Sequence, residues 1–397
     1  FVTKTNLSAE DYGEGSYTKG FYVSIPLDLM TVRPSRERAS ALHCPQLGQG
    51  GTIPADAVAR SQLDIYAGKL ARCHCPHSLR SPSASRFRFP VVAVLMLCLV
   101  SHPDYDIPLA DGHRFPATKF SRLVARLEDD GVLDAFVRHM PEPVLPADLA
   151  ITQDSGYIAA IADGTLDRES LRVLGLSWSR VLANRSFLAV NGTLLAARKA
   201  LEFGLACHAA GGTHHAHFGH GAGFCVFNDL AYTAVRLRRE GAVRRMLILD
   251  CDVHQGDGTA RILQTYDDIF TCSVHCAKNY PARKAVSDLD VEIERGSGDD
   301  SYLATLSDTL DQLAGLCPDP DLVLYDAGVD VHSDDRLGLL NISYDGIRAR
   351  DAMVLRHFRG RDVPVATVIG GGYGNNLDEV AFRHSLVFHA ALAESRG

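Results

Sequence analysis

Four short stretches of this 397-residue chain bring together side chains that can bind a cation, move a proton or stabilise an oxyanion. The densest is Asp250-Cys251-Asp252-Val253-His254-Gln255-Gly256-Asp257-Gly258, directly after the apolar run Met246–Leu249. At a strand end, positions 250, 252 and 254 project to one side. Two carboxylates and an imidazole that converge there are costly to bury without a cation. A polar loop that caps the next helix through Asp257 accounts for one acid, not for three acids and a histidine. Asp326-Ala327-Gly328-Val329-Asp330 follows a second apolar run, and Asp330, past a glycine turn, offers a third ligand. Alone it reads as an ordinary turn aspartate. Two Asp and one His together make an open divalent site with positions left for water and substrate.

Gly211-Gly212-Thr213-His214-His215 supplies paired imidazoles after a tight glycine turn. A histidine held by a buried carboxylate keeps one tautomer and becomes a better base, although paired histidines are also common at surfaces. Gly370-Gly371-Gly372-Tyr373-Gly374 places a tyrosine in a turn that only glycines adopt. Its hydroxyl can donate to a developing oxyanion; alone, the motif reads as a strand-to-helix turn with a packing tyrosine.

These stretches follow the apolar runs expected to be strands: Val91–Val100, Met246–Leu249, Ile269–Val274, Leu322–Tyr325 and Val365–Ile369. Gly223-Phe224-Cys225-Val226-Phe227-Asn228-Asp229 looks like a further strand. Helical patterns fall at Lys119–Glu128, Trp178–Leu205, Asp229–Arg239, Thr259–Tyr266, Asp300–Leu313, Tyr344–Arg356 and Leu377–Leu392. Short unalternating strands separated by helices imply an α/β fold: a single open parallel sheet with helices on both faces. Ligands of such sheets sit outside the carboxyl ends of the strands, where the four stretches lie.

Residues 91–397 read as that domain, and residues 1–90 as an N-terminal extension, disordered or linker-like. The latter part, Ser78 to Pro90, is rich in Ser, Arg and Pro and faintly resembles a transit peptide. Residues 31–90 carry +6 of a total charge of −8, which leaves −14 for the rest. An acidic body argues against direct nucleic-acid binding and mildly favours cationic substrates. The longest apolar run, Val91–Val100, is far short of the roughly 18 residues of a membrane span. Several of the ten cysteines (Cys98, Cys207, Cys251, Cys272) sit inside apolar segments and read as buried reduced thiols. A cytoplasmic location follows, with nuclear or organellar ones open. Cys73-His74-Cys75, with His43-Cys44 upstream, matches no common zinc module.

The ordered set of motifs resembles the histone deacetylase superfamily, which includes acetylpolyamine amidohydrolases and acetoin-utilisation proteins. Gly112-His113-Arg114-Phe115-Pro116, Lys278-Asn279-Tyr280-Pro281 and Asp335-Arg336-Leu337-Gly338 are most similar to its bacterial-type and class IV-like branch. The resemblance spans about residues 95–395. It implies the arginase/deacetylase fold and hydrolysis of an acyl-lysine amide, with an acetylated polyamine or other small amide as the alternative substrate. It implies Asp252, His254 and Asp330 as zinc ligands, ferrous iron or cobalt also suiting such a donor set. His215, paired with Asp257, is implied as general base and acid, His214, paired with Asp250, as its electrostatic partner, and Tyr373 as the carbonyl-polarising phenol. Gly223 and Phe224 are implied as walls of the acyl-lysine channel, with Tyr280 beside them. A structural potassium ion is implied near Asp250, Asp252, His254, Ser273 and Val274. Oligomeric state is open. Two other readings compete: an arginase-like ureohydrolase, which needs two manganese ions and more bridging aspartates, and a scaffold that binds acyl-lysine without cleaving it.

Overall fold

The computed structural model describes residues 97–110 and 112–395. The extension 1–90, with Cys44, Cys73 and Cys75, lies outside the described residues, as does the start of the run at 91–96. Eight strands form one sheet: β1 (Leu97–Val100), β2 (Phe136–His139), β3 (Leu205–His208), β4 (Met246–Asp250), β5 (Ile269–Cys276), β6 (Leu289–Ile293), β7 (Leu322–Asp326) and β8 (Val365–Val368). Their order is β2-β1-β3-β8-β7-β4-β5-β6, and every pairing is parallel. The helices are α1 (Lys119–Asp129), α2 (Pro146–Leu149), α3 (Ser155–Asp163), α4 (Arg168–Leu174) and α5 (Arg180–Phe203), followed by α6 (Asp229–Arg239), α7 (Asp257–Leu263), α8 (Asp299–Leu316), α9 (Tyr344–Arg359) and α10 (Leu377–Glu394).

The central strands β3, β4, β7 and β8 are buried along their whole length, which is why they read as continuous apolar runs. The edge strands β2 (Phe-Val-Arg-His) and β6 (Leu-Asp-Val-Glu-Ile) are half exposed, carry charge and escape that signal. β3 is absent from the expected strands, and the expected helix 178–205 overruns it by one residue, Leu205. In the structure Gly204, at φ +90°, ends α5 after Phe203 and the chain enters β3 at Leu205. The segment 223–229 is not a strand. Ala222 and Cys225 close a turn with positive φ at Gly223 and Phe224, and the Asn228 side chain then caps α6 by accepting from Ala231 N.

Because every strand runs the same way, the four segments that leave the carboxyl ends of β3, β8, β7 and β4 emerge side by side on one edge of the sheet. Those four strands are neighbours in that order. Residues 211–215, 250–258, 326–330 and 370–374 are thereby brought to one place. Cys207, Cys251 and Cys272 are buried thiols, and Cys98 is buried as well. Among the described residues, no helix is long and apolar enough to cross a membrane.

Candidate active site and metal centre

Two groups of buried side chains have ligand atoms within 4.8 Å of one another: Asp252, His254 and Asp330, and beside them His214, Asp250 and Asp326. The simple alternation expected for Asp250, Asp252 and His254 does not hold. β4 ends at Asp250, and beyond it each carboxylate caps the next turn: Asp250 Oδ1 accepts from Asp252 N at 3.1 Å, and Asp252 Oδ1 accepts from His254 N at 2.9 Å. Asp250 therefore turns to His214, while Asp252 and His254 turn to Asp330.

In the first group His254 Nδ1 lies 2.9 Å from Asp252 Oδ1 and 3.0 Å from Asp330 Oδ2. The outer oxygens are held by backbone amides: Gly371 N donates to Asp252 Oδ2 at 2.7 Å, and Val253 N donates to Asp330 Oδ1 at 2.8 Å. Asp330 Oδ2 is buried and accepts no well-aligned hydrogen bond, since it shares His254 Nδ1 with Asp252 Oδ1. A Cβ at position 371 would overlap oxygens of both carboxylates, so that backbone must be glycine. Burial opposes a charge on His254, but hydrogen bonds and charges from Asp252 and Asp330 outweigh it and push its pKa up to about 10. Without another cation, a proton on this ring is what balances the two acids.

The paired histidines are each held by a carboxylate. His214 Nδ1 is 2.7 Å from Asp250 Oδ2, and His215 Nδ1 is 2.8 Å from Asp257 Oδ1. Asp257 is not the cap of α7, a place taken by Gly256; its other oxygen faces His217 Nε2 at 3.3 Å. The two rings differ in charge. For His214, burial works against protonation, yet the charges of Asp250 and Asp252 and the hydrogen bond to Asp250 hold its pKa well above the ordinary imidazole range. For His215, burial and the neighbouring His214 outweigh Asp257 and push the pKa down to about 3. His215 is the neutral member, with Nδ1 on Asp257 and Nε2 left as the lone pair. A Cβ on Gly223, at φ +54°, would press on the His215 ring at 2.6 Å.

Tyr373 is buried, and its N donates to Asp335 Oδ2 at 2.6 Å. Burial, then the charges of Asp252 and Asp330, keep its phenol protonated. A cavity of about 270 Å³ runs from solvent to these groups, lined by Gly223, Phe224, Tyr280, His215, His254 and Tyr373 among others. The Tyr280 ring stands edge-on to His215, with centroids 4.7 Å apart. Behind them a smaller cavity of about 30 Å³, roughly the volume of one water in the liquid, touches His214, His215, Asp252, Tyr373, Lys119 and Arg185. All eleven residues expected at the site are thus within one neighbourhood. Ser273 and Val274 are buried on β5, where Ser273 pairs with Asp250 across the sheet and its hydroxyl meets His275 Nδ1 at 3.0 Å.

Four residues here were not singled out from sequence. Asp326 ends β7 fully buried, with neither oxygen hydrogen-bonded, 4.0 Å from His214 Nδ1; burial and the nearby Asp250 raise its pKa far above the carboxylate range. Lys119 opens α1, where a lysine usually faces water, yet its Nζ is buried, donates to Gly370 O at 2.9 Å and lies 3.2 Å from His384 Nε2. Burial pushes its pKa down to about 8. Asp229 is buried and fixes the turn before the histidines, accepting from Gly212 N and Thr213 N at 3.1 and 2.7 Å. Arg350 of α9 is buried as well and donates to Cys251 O, Gly328 O and Ala327 O. For Asp326 the signal was its place at a strand end; the other three carry none in the sequence.

The histone deacetylase domain family matches residues 113–387. A second family, exopolysaccharide biosynthesis protein YbjH, matches residues 1–55, outside the described residues. An uncharacterized protein of Picosynechococcus sp. is 45% identical over 74% of this chain and 97% of its own length. Histone deacetylase 2 of Arabidopsis thaliana is 32% identical, covering 71% of this chain and 76% of that protein. Among solved structures the HD domain of HDA15 superimposes with a TM-score of 0.64 at 20% identity, over 76% of this chain and 89% of that one, a likeness of fold.

Proposed function

From the chain's membership of the histone deacetylase family, we propose that this deacetylase is a metal-dependent amide hydrolase that removes acetyl or other acyl groups from lysine side chains. Residues 91–397 are its catalytic domain and residues 1–90 an N-terminal extension. What supports the reading is the meeting of a cluster of cation-binding side chains, a neutral histidine base and a protonated phenol at the floor of one channel.

The residues fit a divalent cation. Asp330 Oδ2 is a buried carboxylate oxygen without a well-aligned hydrogen bond, sharing His254 Nδ1 with Asp252. Such an atom is costly to bury unless a cation meets it. Asp252, His254 and Asp330 would hold the ion, zinc first and ferrous iron as the alternative. When bound it supplies a Lewis acid for the acyl carbonyl and lowers the pKa of water.

The chain's own groups do the rest. Phe224, Gly223 and Tyr280 wall the channel and exclude water from the acyl-lysine stem. His215, its Nδ1 proton directed to Asp257, takes the proton of the attacking water at Nε2 and returns it to the leaving amine. His214, kept protonated by Asp250, supplies positive charge beside the reacting centre. Tyr373 donates its hydroxyl proton in a hydrogen bond to the oxygen that becomes negative as the carbonyl carbon turns tetrahedral. The products are a carboxylate and a free amine. Buried Lys119 and Arg185 bring positive charge to the rear cavity, beside Asp252. A structural potassium ion would lie among Asp250, Asp252, His254, Ser273 and Val274.

The test combines an acetyl-lysine assay, with a chelator control, and metal analysis of protein purified without added zinc. We expect one equivalent of divalent metal, chelator-sensitive release of acetate and no urea from guanidinium substrates. Asp252→Ala protein that kept both full metal content and activity would overturn the ligand assignment.

A further inference from the structure

The body of this protein is acidic, yet the charged side chains at the mouth of its channel are arginines. Arg114 and Arg172 line the outer part of the 270 Å³ cavity, and no Asp or Glu does among the described residues. Arg114 holds its place: its guanidinium lies over the Phe224 ring at 6.0 Å from the centroid, and the neighbouring His113 Nε2 lies 3.2 Å from Gly175 O. Arg172 is exposed on α4. From it a groove of about 1050 Å³ leads away from the channel, lined by Arg168, Arg172, Glu169, His113 and Trp178 among others. Among the described residues Glu169 is the one acid lining it, 3.8 Å from Arg172 with both side chains about 80% exposed, a pairing that neutralises little.

We propose that Arg114 and Arg172 set substrate choice: the site accepts an acyl-lysine inside a peptide with acidic neighbours and rejects acylated polyamines. The proposal rests on the deacylase reading and names its substrate class. An acyl-lysine seated in the channel leaves its peptide backbone at the mouth, where the groove receives the flanking residues. Carboxylates on those residues meet the guanidinium groups, which pair with them more strongly than an ammonium does. An acylated polyamine instead brings its remaining ammonium groups to the same two arginines. The acidic body does not reverse this preference, since charges beyond about 8 Å are largely screened at physiological salt.

The test uses the full chain and one acetyl-lysine peptide sequence in three forms, with Glu, Gln or Lys on both sides of the acetyl-lysine, together with N-acetylated spermidine. Binding is read by fluorescence anisotropy of labelled peptides and turnover by acetate release. We expect the Glu form to exceed the Lys form by about tenfold in kcat/KM at low salt, as two partly screened charge contacts would give. The gap should narrow in 0.5 M salt, as screening requires (a Debye length of about 3 Å at 1 M). Arg114→Glu with Arg172→Glu should invert the order. Equal binding and equal turnover of the three peptides, or faster hydrolysis of the acetylated polyamine than of the Glu peptide, overturns the proposal. Binding in the expected order without hydrolysis of any substrate leaves the charge selection standing and overturns the deacylase reading instead.

Discussion

At the scale of single residues, the site separates two histidines that are neighbours in the sequence and share little else. Among carboxylates, His214 faces Asp250, Asp252 and Asp326, and His215 faces Asp257. One ring is kept charged and the other neutral, the division of labour that proton transfer at neutral pH requires. Tyr373 has a narrower task. Its hydroxyl matters when the carbonyl oxygen becomes negative, so Tyr373→Phe should lower kcat by about 10²–10³-fold and leave KM nearly unchanged. Steady-state kinetics on an acetyl-lysine peptide checks this; an unaltered kcat would remove the phenol from the mechanism. The pairing of these residues was legible because each motif announces its chemistry by type. The unpartnered Asp326 was visible as a letter, but its burial was not.

At the scale of elements, the cation-binding group depends on two loops keeping their separation. Asp252 follows β4 and Asp330 follows β7, and both loops are tied to α9 by one side chain. Arg350 Nη1 donates to Cys251 O at 3.2 Å and Gly328 O at 2.5 Å, and Nη2 donates to Ala327 O at 3.2 Å. Its charge is met by Asp351 at 2.9 Å, whose carboxylate also accepts from Tyr325 Oη at 2.6 Å. Removing one partner of a buried pair costs about 3–5 kcal/mol. Arg350→Met should therefore destabilise the protein by about that amount and weaken divalent-metal binding. Adding Asp351→Leu should recover part of the stability by removing the orphaned charge, but not the metal affinity, because the three carbonyls remain untethered. Denaturation curves and metal titration of the single and double variants separate the two effects; recovery of metal affinity in the double variant would show that Arg350 does not position the loops.

At the scale of the whole molecule, a buried polar chain crosses the core behind the histidine loop. Tyr105 Oη lies 2.8 Å from His208 Nε2, His208 Nδ1 lies 3.0 Å from Thr193 Oγ1, and Thr193 donates to Asp229 at 2.5 Å. It links β3, α5 and α6 to the turn at Gly212. Burial, aided by Arg185, pushes the His208 pKa down to about 3. The sign follows directly. Between about pH 6.5 and 3 the unfolded chain protonates this histidine and the folded one does not, so its contribution is present above pH 6.5 and is lost as pH falls. Between pH 7 and 5 that loss is about 2 kcal/mol. Urea unfolding of the wild type should thus lose about that much more stability over this interval than His208→Gln, whose side chain does not titrate. Parallel pH dependences for the two proteins would place the acid sensitivity elsewhere.

The sequence by itself determined the buried strands, the long helices and the chemical inventory of the site. These are written in local signals: apolar runs where both faces of a strand are covered, helical periodicity, and costly polar residues placed just after them. It did not determine the edge strands, where exposure dilutes the apolar run, or the short β3, hidden against the end of α5. Nor did it determine the roles of Lys119, Arg350 and Arg114. Lys119 meets Gly370 across 251 residues of chain, and Arg350 meets Cys251 across 99. A contact of that kind has no local trace, because it arises only when parallel strands bring their carboxyl ends together and helices from elsewhere in the chain close over them.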